Sequence, residues 1–82
     1  MNAAGGPLVV LYGRPGCHLC EDALAVVVRV RDRVAFRLEQ RNIDLDERLL
    51  LAYLERIPVV TIDGVEAFTL FVDESELKNL LG

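Results

Sequence analysis

The sequence predicts a small α/β domain in which helices pack on a mixed four-stranded sheet. Short apolar runs of strand length alternate with segments whose apolar residues recur at helical spacing. Asp63-Gly64 joins the last two strand segments and is typical of a tight hairpin turn, so these strands should be antiparallel. The connection between the first two strands is long enough to hold a helix, which favours a parallel pair. The predicted order is β-α-β-α-β-β-α.

The first half of the chain is predicted to form a strand, a helix and a second strand. Residues 8–12 are an unbroken apolar run, typical of a strand covered on both faces, and residues 13–16 form a turn. Helical spacing then continues to about Asp32, carried by Leu19, Ala23, Val26, Val27 and Val30. The extended segment 34–43 loses its alternation near residue 41, which favours an edge strand or a bulge.

The second half is predicted to form a helix, a hairpin and a last helix. Either Asp44 or Asp46 caps the helix, which ends before Ile57-Pro58 because proline disfavours helical geometry in the preceding residue. Residues 59–62 and 65–71 are predicted to form the two hairpin strands. Asp73 and Glu76 match a capping box. The predicted apolar positions of the two helices are Leu45, Leu49, Leu50, Tyr53 and Leu54, then Leu77, Leu80 and Leu81.

Composition excludes several classes of protein. A chain of 82 residues that is 52% hydrophobic, with only two cysteines, is neither disordered nor a disulfide-stapled secreted scaffold. The net charge of −4 argues against nucleic-acid binding, and the apolar runs are too short for a membrane span or a signal-peptide core. We therefore expect a flexible segment at residues 1–7, one domain at 8–82, a monomer, no membrane contact and a cytoplasmic location.

Cys17-His18-Leu19-Cys20 holds both cysteines, at the predicted start of the first helix. Unpaired N–H groups and the helix dipole favour a thiolate there, but the dipole's contribution of about 0.3–1 kcal/mol lowers a thiol pKa by less than one unit. Arg14 and His18 could lower the pKa of Cys17 further, while nearby acidic residues oppose this. The three-residue spacing brings the sulfurs close enough for a disulfide. We expect Cys17 to attack a substrate and Cys20 to resolve the mixed disulfide.

Other interpretations of the cysteine pair are weaker but remain open. A structural disulfide would close a very small loop, and a closed zinc site would lack a fourth ligand among the cysteines and histidine of the chain. Two inert, buried cysteines are a third alternative. His18 has two interpretations, a cation that stabilises the thiolate or a solvent-facing turn residue. A dithiol that follows a strand in a βαβ context favours redox chemistry.

The residues from Tyr12 to Cys20, Ile57-Pro58-Val59-Val60 and the order of elements together resemble glutaredoxin-like proteins of the thioredoxin-fold superfamily. The resemblance implies a thioredoxin/glutaredoxin-like fold over residues 8–81, with Cys17 as nucleophile and Cys20 as resolving thiol. It also implies that Arg14 helps to hold the glycine carboxylate of glutathione and that Pro58 follows a cis peptide bond. The backbone of Ile57 would pair with an extended substrate.

The chain departs from that family pattern at two places. His18 and Leu19 stand where glutaredoxins usually have Pro and Tyr, and residues 68–73 lack the Gly-Gly pair that binds the γ-glutamyl end of glutathione. We predict a thiol–disulfide oxidoreductase that reduces protein or glutathione mixed disulfides, with glutathione as a candidate co-substrate, a reductase as a candidate partner, and no bound cofactor or metal. The alternatives are a redox-sensing or partner-docking module, or an iron–sulfur cluster binder.

Overall fold

The computed structural model describes residues 6–82 and contains the seven predicted helices and strands in the predicted order. The prediction of a flexible segment at residues 1–7 falls mostly on residues 1–5, which lie outside the described part. A single turn of 3-10 helix, Ile43–Leu45, precedes the second α-helix. The elements are β1 (Leu8–Gly13), α1 (His18–Arg31), β2 (Arg37–Asn42), α2 (Glu47–Tyr53), β3 (Val59–Ile62), β4 (Val65–Thr69) and α3 (Glu74–Leu81).

The four strands form one mixed sheet in the order β2-β1-β3-β4. Strand β1 runs parallel to β2 and antiparallel to β3, and β3 pairs with β4 in antiparallel orientation. The two strand orientations predicted from loop length and turn type are therefore confirmed. Strand β2 is an edge strand, as its weak alternation indicated, while the register irregularity of the sheet lies between Val60 and Thr61 of β3.

Helices α1 and α3 pack against one face of the sheet and enclose the main core. Alternation along β1 directs Val9 and Leu11 to this face and Tyr12 to the other, where its ring lies 5.0 Å from that of Tyr53 in α2. Burial raises the pKa of Tyr53 above its ordinary value. The buried residues of the core are Val9, Leu11, Ala23, Val27, Val30, Phe36, Val60, Val72 and Leu77.

Strand β2 begins at Arg37, three residues later than predicted. The N–H groups of Arg33 and Val34 both donate to the carbonyl of Val30, so the chain is still turning where the sequence indicated a strand. Phe36 is 3% exposed and belongs to the core just before the strand starts. Its burial explains why the apolar pattern of the strand seemed to begin early.

Strand β4 ends at Thr69, so the predicted strand 65–71 was two residues too long. Leu70 has a φ of 74°, and the N–H of Phe71 donates to the carbonyl of Thr69 over 2.8 Å. This tight turn takes the chain out of the sheet, because a residue in the left-handed region cannot continue a strand. The departure point could not be read from the sequence, which has neither glycine nor proline there.

Helix α2 is shorter than predicted and has no buried residue. Asp46 caps it by accepting hydrogen bonds from the N–H groups of Arg48 and Leu49, whereas Asp44 lies in the 3-10 turn. Leu45 therefore precedes α2 and is 83% exposed, which contradicts its predicted place on the buried face. Within residues 6–82 no helix is both long enough and apolar enough to cross a bilayer.

Candidate active site

Cys17 lies at the N-cap of α1, one residue before the helix begins at His18. Its backbone is extended, with φ of −98° and ψ of 107°, so the prediction that both thiols lie within the first turn was wrong for Cys17. Cys17 Sγ accepts the N–H of Cys20 at 3.1 Å. The sulfur thus takes the position that a serine or aspartate oxygen occupies in common N-caps, which explains why the helix starts here.

Cys17 and Cys20 form a disulfide, with their Cα atoms 5.2 Å apart. Cys17 is half-buried, whereas Cys20 is only 8% exposed because it lies one turn into α1 against the sheet. A nucleophile arriving from solvent can therefore reach the sulfur of Cys17 more easily than that of Cys20. The order in which Cys17 attacks and Cys20 resolves stays a prediction.

Gly13, the last residue of β1, lies directly against the side chain of Cys20. A Cβ atom on Gly13 would stand 2.9 Å from Cys20 Sγ and 3.1 Å from its Cβ. Both residues line a pocket of about 270 Å³, together with Leu24 of α1 and Arg41 of β2. From the sequence, Gly13 was predicted only as part of a turn. A glycine that ends a buried strand often marks a close approach, and that signal could have identified it.

Arg14 is exposed and forms an ion pair across the site. Its Nη2 lies 3.2 Å from Oδ1 of Asp44, which follows β2. An exposed pair of this kind contributes about 0–1 kcal/mol, so it orients the guanidinium without fixing it strongly. Asp44 was predicted only as a candidate helix cap, because its contact with Arg14 depends on the parallel pairing of β1 with β2.

His18 extends into solvent, with 96% of its side chain exposed. Its Nδ1 lies 3.9 Å from a carboxylate oxygen of Glu21, one turn further along α1. Of the two interpretations of His18, this geometry matches the solvent-facing residue. A role of His18 in stabilising the thiolate stays a prediction.

The Ile57-Pro58 peptide bond is cis, as the resemblance implied. Pro58 is buried and immediately precedes β3, and Val59 pairs with Tyr12 of β1. This register places the Ile57-Pro58 loop at the same end of the sheet as the turn that leads to Cys17. Within residues 6–82 neither the N–H nor the C=O of Ile57 has a backbone partner, so both groups remain available to an extended chain.

Apolar side chains are exposed around the same end of the sheet. Leu19 is 49% exposed, Leu70 is 50% exposed and Phe71 is 67% exposed. The N–H of Leu70 donates to the carbonyl of Pro58 at 2.9 Å, which connects the turn after β4 to the loop before β3. Leu70 and Phe71 were predicted as strand residues, and their place beside the cysteine motif emerges only from the fold.

The site can carry out two-electron chemistry with its own sulfur atoms. Conversion of the Cys17–Cys20 disulfide to two thiols takes up two electrons and two protons. Within residues 6–82 no three histidine, cysteine, aspartate or glutamate side chains come together in a way that could hold a metal ion.

Comparisons with known proteins agree with the fold. A family model described as "Glutaredoxin-like domain (DUF836)" matches residues 8–82. Protein Ne2328 from Nitrosomonas europaea is similar in structure, with a TM-score of 0.83, 33% identity, and coverage of 100% of this chain and 99% of that chain. Protein XcR50 from X. campestris is similar with a TM-score of 0.75, 30% identity, and coverage of 89% and 93% respectively.

A thioredoxin is also similar to this chain, at the level of the fold alone. This protein, a mutant thioredoxin from Halobacterium salinarum, has a TM-score of 0.69 and 20% identity over 92% of this chain and 71% of its own. A search of curated proteins found no match. The fold is therefore that of the thioredoxin and glutaredoxin group, as the sequence predicted.

Proposed function

The chain belongs to the glutaredoxin-like domain family (DUF836), and from this premise we propose that it is a thiol–disulfide oxidoreductase that reduces protein or glutathione mixed disulfides. One observation carries the proposal. The half-buried sulfur of Cys17 caps α1, accepts an N–H hydrogen bond, and lies within bonding reach of the more deeply buried Cys20. These are the properties needed in an attacking sulfur and a resolving sulfur.

The first step is attack of the Cys17 thiolate on one sulfur of the client disulfide. A bond forms between Cys17 and that sulfur, the client S–S bond breaks, and the second client sulfur leaves as a thiolate that takes up a proton. The N–H of Cys20 and the positive end of the α1 dipole stabilise the thiolate before attack. These groups are already in place because the cap geometry is part of the fold.

The second step is attack by Cys20 on Sγ of Cys17. The mixed disulfide breaks, the client sulfur leaves as a thiol, and the product is the Cys17–Cys20 disulfide. Two electrons and two protons have then passed from the protein to the client. Two glutathione molecules, or a dithiol reductase, would restore the dithiol, which is consistent with a reducing compartment such as the cytoplasm.

Two further contacts are part of the proposal. The free peptide groups of Ile57 would pair with an extended client segment, and Arg14 would bind the glycine carboxylate when glutathione is the client. Leu70 and Phe71 occupy the segment in which glutaredoxins carry their Gly-Gly pair. We therefore expect weaker binding of the γ-glutamyl end than in a glutaredoxin that has these glycines.

The proposal is tested with a mixed-disulfide reductase assay coupled to glutathione, run beside one coupled to thioredoxin reductase. We expect Cys17→Ser to lose all turnover in the assay in which the wild type is active. Cys20→Ser should accumulate a covalent adduct between Cys17 and the client, visible by mass spectrometry. If the wild type and Cys17→Ser are equally inactive in both assays, the oxidoreductase proposal is wrong and a sensing or docking module is favoured.

A further inference from the structure

Gly13 makes an unusually specific contact with Cys20. A Cβ atom built on Gly13 meets Sγ of Cys20 at 2.9 Å and its Cβ at 3.1 Å, and no other atom within 4 Å beyond its chain neighbours. Both distances are well inside the roughly 3.5–4.0 Å optimum for nonbonded heavy atoms. Gly13 has no positive φ, so alanine is compatible with the backbone of β1. A methyl group at this position would therefore act on Cys20 alone.

The contact affects the two redox states unequally. In the disulfide, Cys20 Sγ is bonded to Cys17 Sγ, which is itself held at the N-cap by the N–H of Cys20. The bonded sulfur cannot rotate away from Gly13. In the dithiol, Cys20 can adopt another staggered rotamer, and the pocket of about 270 Å³ beside it leaves space for the sulfur. A methyl group on residue 13 would thus penalise the disulfide more than the dithiol.

We propose that Gly13 is a positioning residue for the resolving sulfur, and that its missing side chain stabilises the Cys17–Cys20 disulfide relative to the dithiol. The inference rests on the proposed dithiol function and adds a residue that controls its equilibrium. In the exchange with oxidised glutathione, the glutathione S–S bond breaks and the Cys17–Cys20 bond forms. Two protons pass from the protein thiols to two glutathione thiols, and two electrons pass to glutathione.

The test compares the wild type with Gly13→Ala in glutathione redox buffers at pH 7. The protein is equilibrated over a range of thiol to disulfide ratios, quenched with acid, alkylated, and scored by mass for its oxidised fraction. We expect the equilibrium constant for disulfide formation to fall about tenfold in Gly13→Ala, which corresponds to a reduction potential about 30 mV less negative. A constant within twofold of the wild type would contradict the inference.

Two controls separate this contact from a general loss of stability. Gly64→Ala introduces a methyl group at a hairpin glycine with a φ of 86° and open space around it, so it should destabilise both redox states and leave the equilibrium constant unchanged. Gly13→Ala is also made in a Cys20→Ala background, where the 2.9 Å contact with Sγ no longer exists and only the 3.1 Å contact with the Cβ of residue 20 remains. There we expect Gly13→Ala to lower the denaturant midpoint by less than it does in the oxidised protein with Cys20 intact.

The double variant also decides the outcome if Gly13→Ala does not fold. If Gly13→Ala fails to fold while Gly13→Ala/Cys20→Ala folds, the clash with Cys20 Sγ, from which the inference is argued, is confirmed. If both fail to fold, or if Gly13→Ala lowers the denaturant midpoint equally in the two backgrounds, the sulfur of Cys20 does not cause the effect and the inference is wrong. None of these measurements requires turnover. A wild type that is inactive in the reductase assays would contradict the proposed function, while the redox titration would still test the role of Gly13.

Discussion

The two cysteines have different surroundings although they are only three positions apart. Cys17 caps α1 from outside the helix, whereas Cys20 lies inside it and packs against Gly13. The cap position leaves one sulfur accessible and gives it an N–H donor, while the helix holds the other sulfur at the sheet. The proposed order of reaction, in which Cys17 attacks first, rests on where α1 begins.

Arg14 provides a test of the glutathione contact. We predict that Arg14→Gln raises the KM for a glutathione mixed disulfide about two- to fivefold, with little change in kcat, because an exposed ion pair is worth up to about 1 kcal/mol. The effect should shrink at high salt. Asp44→Asn is the matched variant, since it releases Arg14 from its 3.2 Å ion pair and should lower KM or leave it unchanged. An unchanged KM in Arg14→Gln at low salt would show that Arg14 does not contact glutathione.

Among the elements, α1 and α2 differ in how firmly they are held. Helix α1 buries four residues, Cys20 among them, and packs on both the sheet and α3. Helix α2 has no buried residue and is anchored through Tyr53, which contacts Tyr12. The helix that contains Cys20 and is capped by Cys17 is thus fixed by the main core, as a preorganised site requires.

The capping aspartates of α2 and α3 allow an exposed helix to be compared with one that packs on the core. Asp73 accepts the N–H of Ser75 at the start of α3, which buries Leu77 completely, and Asp46 caps the exposed α2. We predict that Asp73→Ala lowers the free energy of unfolding by about 1 kcal/mol. Asp46→Ala should cost less than half as much, because an exposed first turn can fray locally. Urea denaturation with a common m-value checks this, and equal losses in the two variants would contradict it.

For the whole molecule, sheet order decides which segments meet. Strand β1 lies between β2 and β3, so the turn after β1, the 3-10 turn after β2 and the Ile57-Pro58 loop before β3 all lie at one end of the sheet. The end of β4 joins them through the hydrogen bond from Leu70 to Pro58. Segments that are distant in sequence therefore supply the cysteine pair, the Arg14–Asp44 ion pair and the free backbone groups of Ile57.

The stability of the whole domain should depend little on the redox state. The disulfide joins residues three positions apart, and chain entropy gives such a small loop about 2 kcal/mol at most. We predict that the oxidised and reduced forms both fold and that their unfolding free energies differ by no more than that amount. Urea denaturation with and without reductant measures the difference. A reduced chain that fails to fold would contradict this and would show that the disulfide is structural.

The sequence by itself determined the local elements and the pair of reactive groups. Three features could be predicted because they depend only on neighbours along the chain. They are helix α1 from the spacing of Ala23 and Val27, the hairpin turn at Asp63-Gly64, and the end of the second helix before Pro58. The same holds for the three-residue spacing of Cys17 and Cys20, which a helix start converts into bonding distance.

The tertiary structure alone decided what surrounds that pair. The approach of Gly13 to Cys20 and the pairing of Arg14 with Asp44 depend on how α1 and β2 sit against β1. The turn at Leu70 likewise depends on the place of β4 beside β3. Such contacts are set by sheet register and by packing of the core, which involve residues far apart in the chain. A glycine at the end of a strand indicates a close approach, but no local pattern of residue types names the partner.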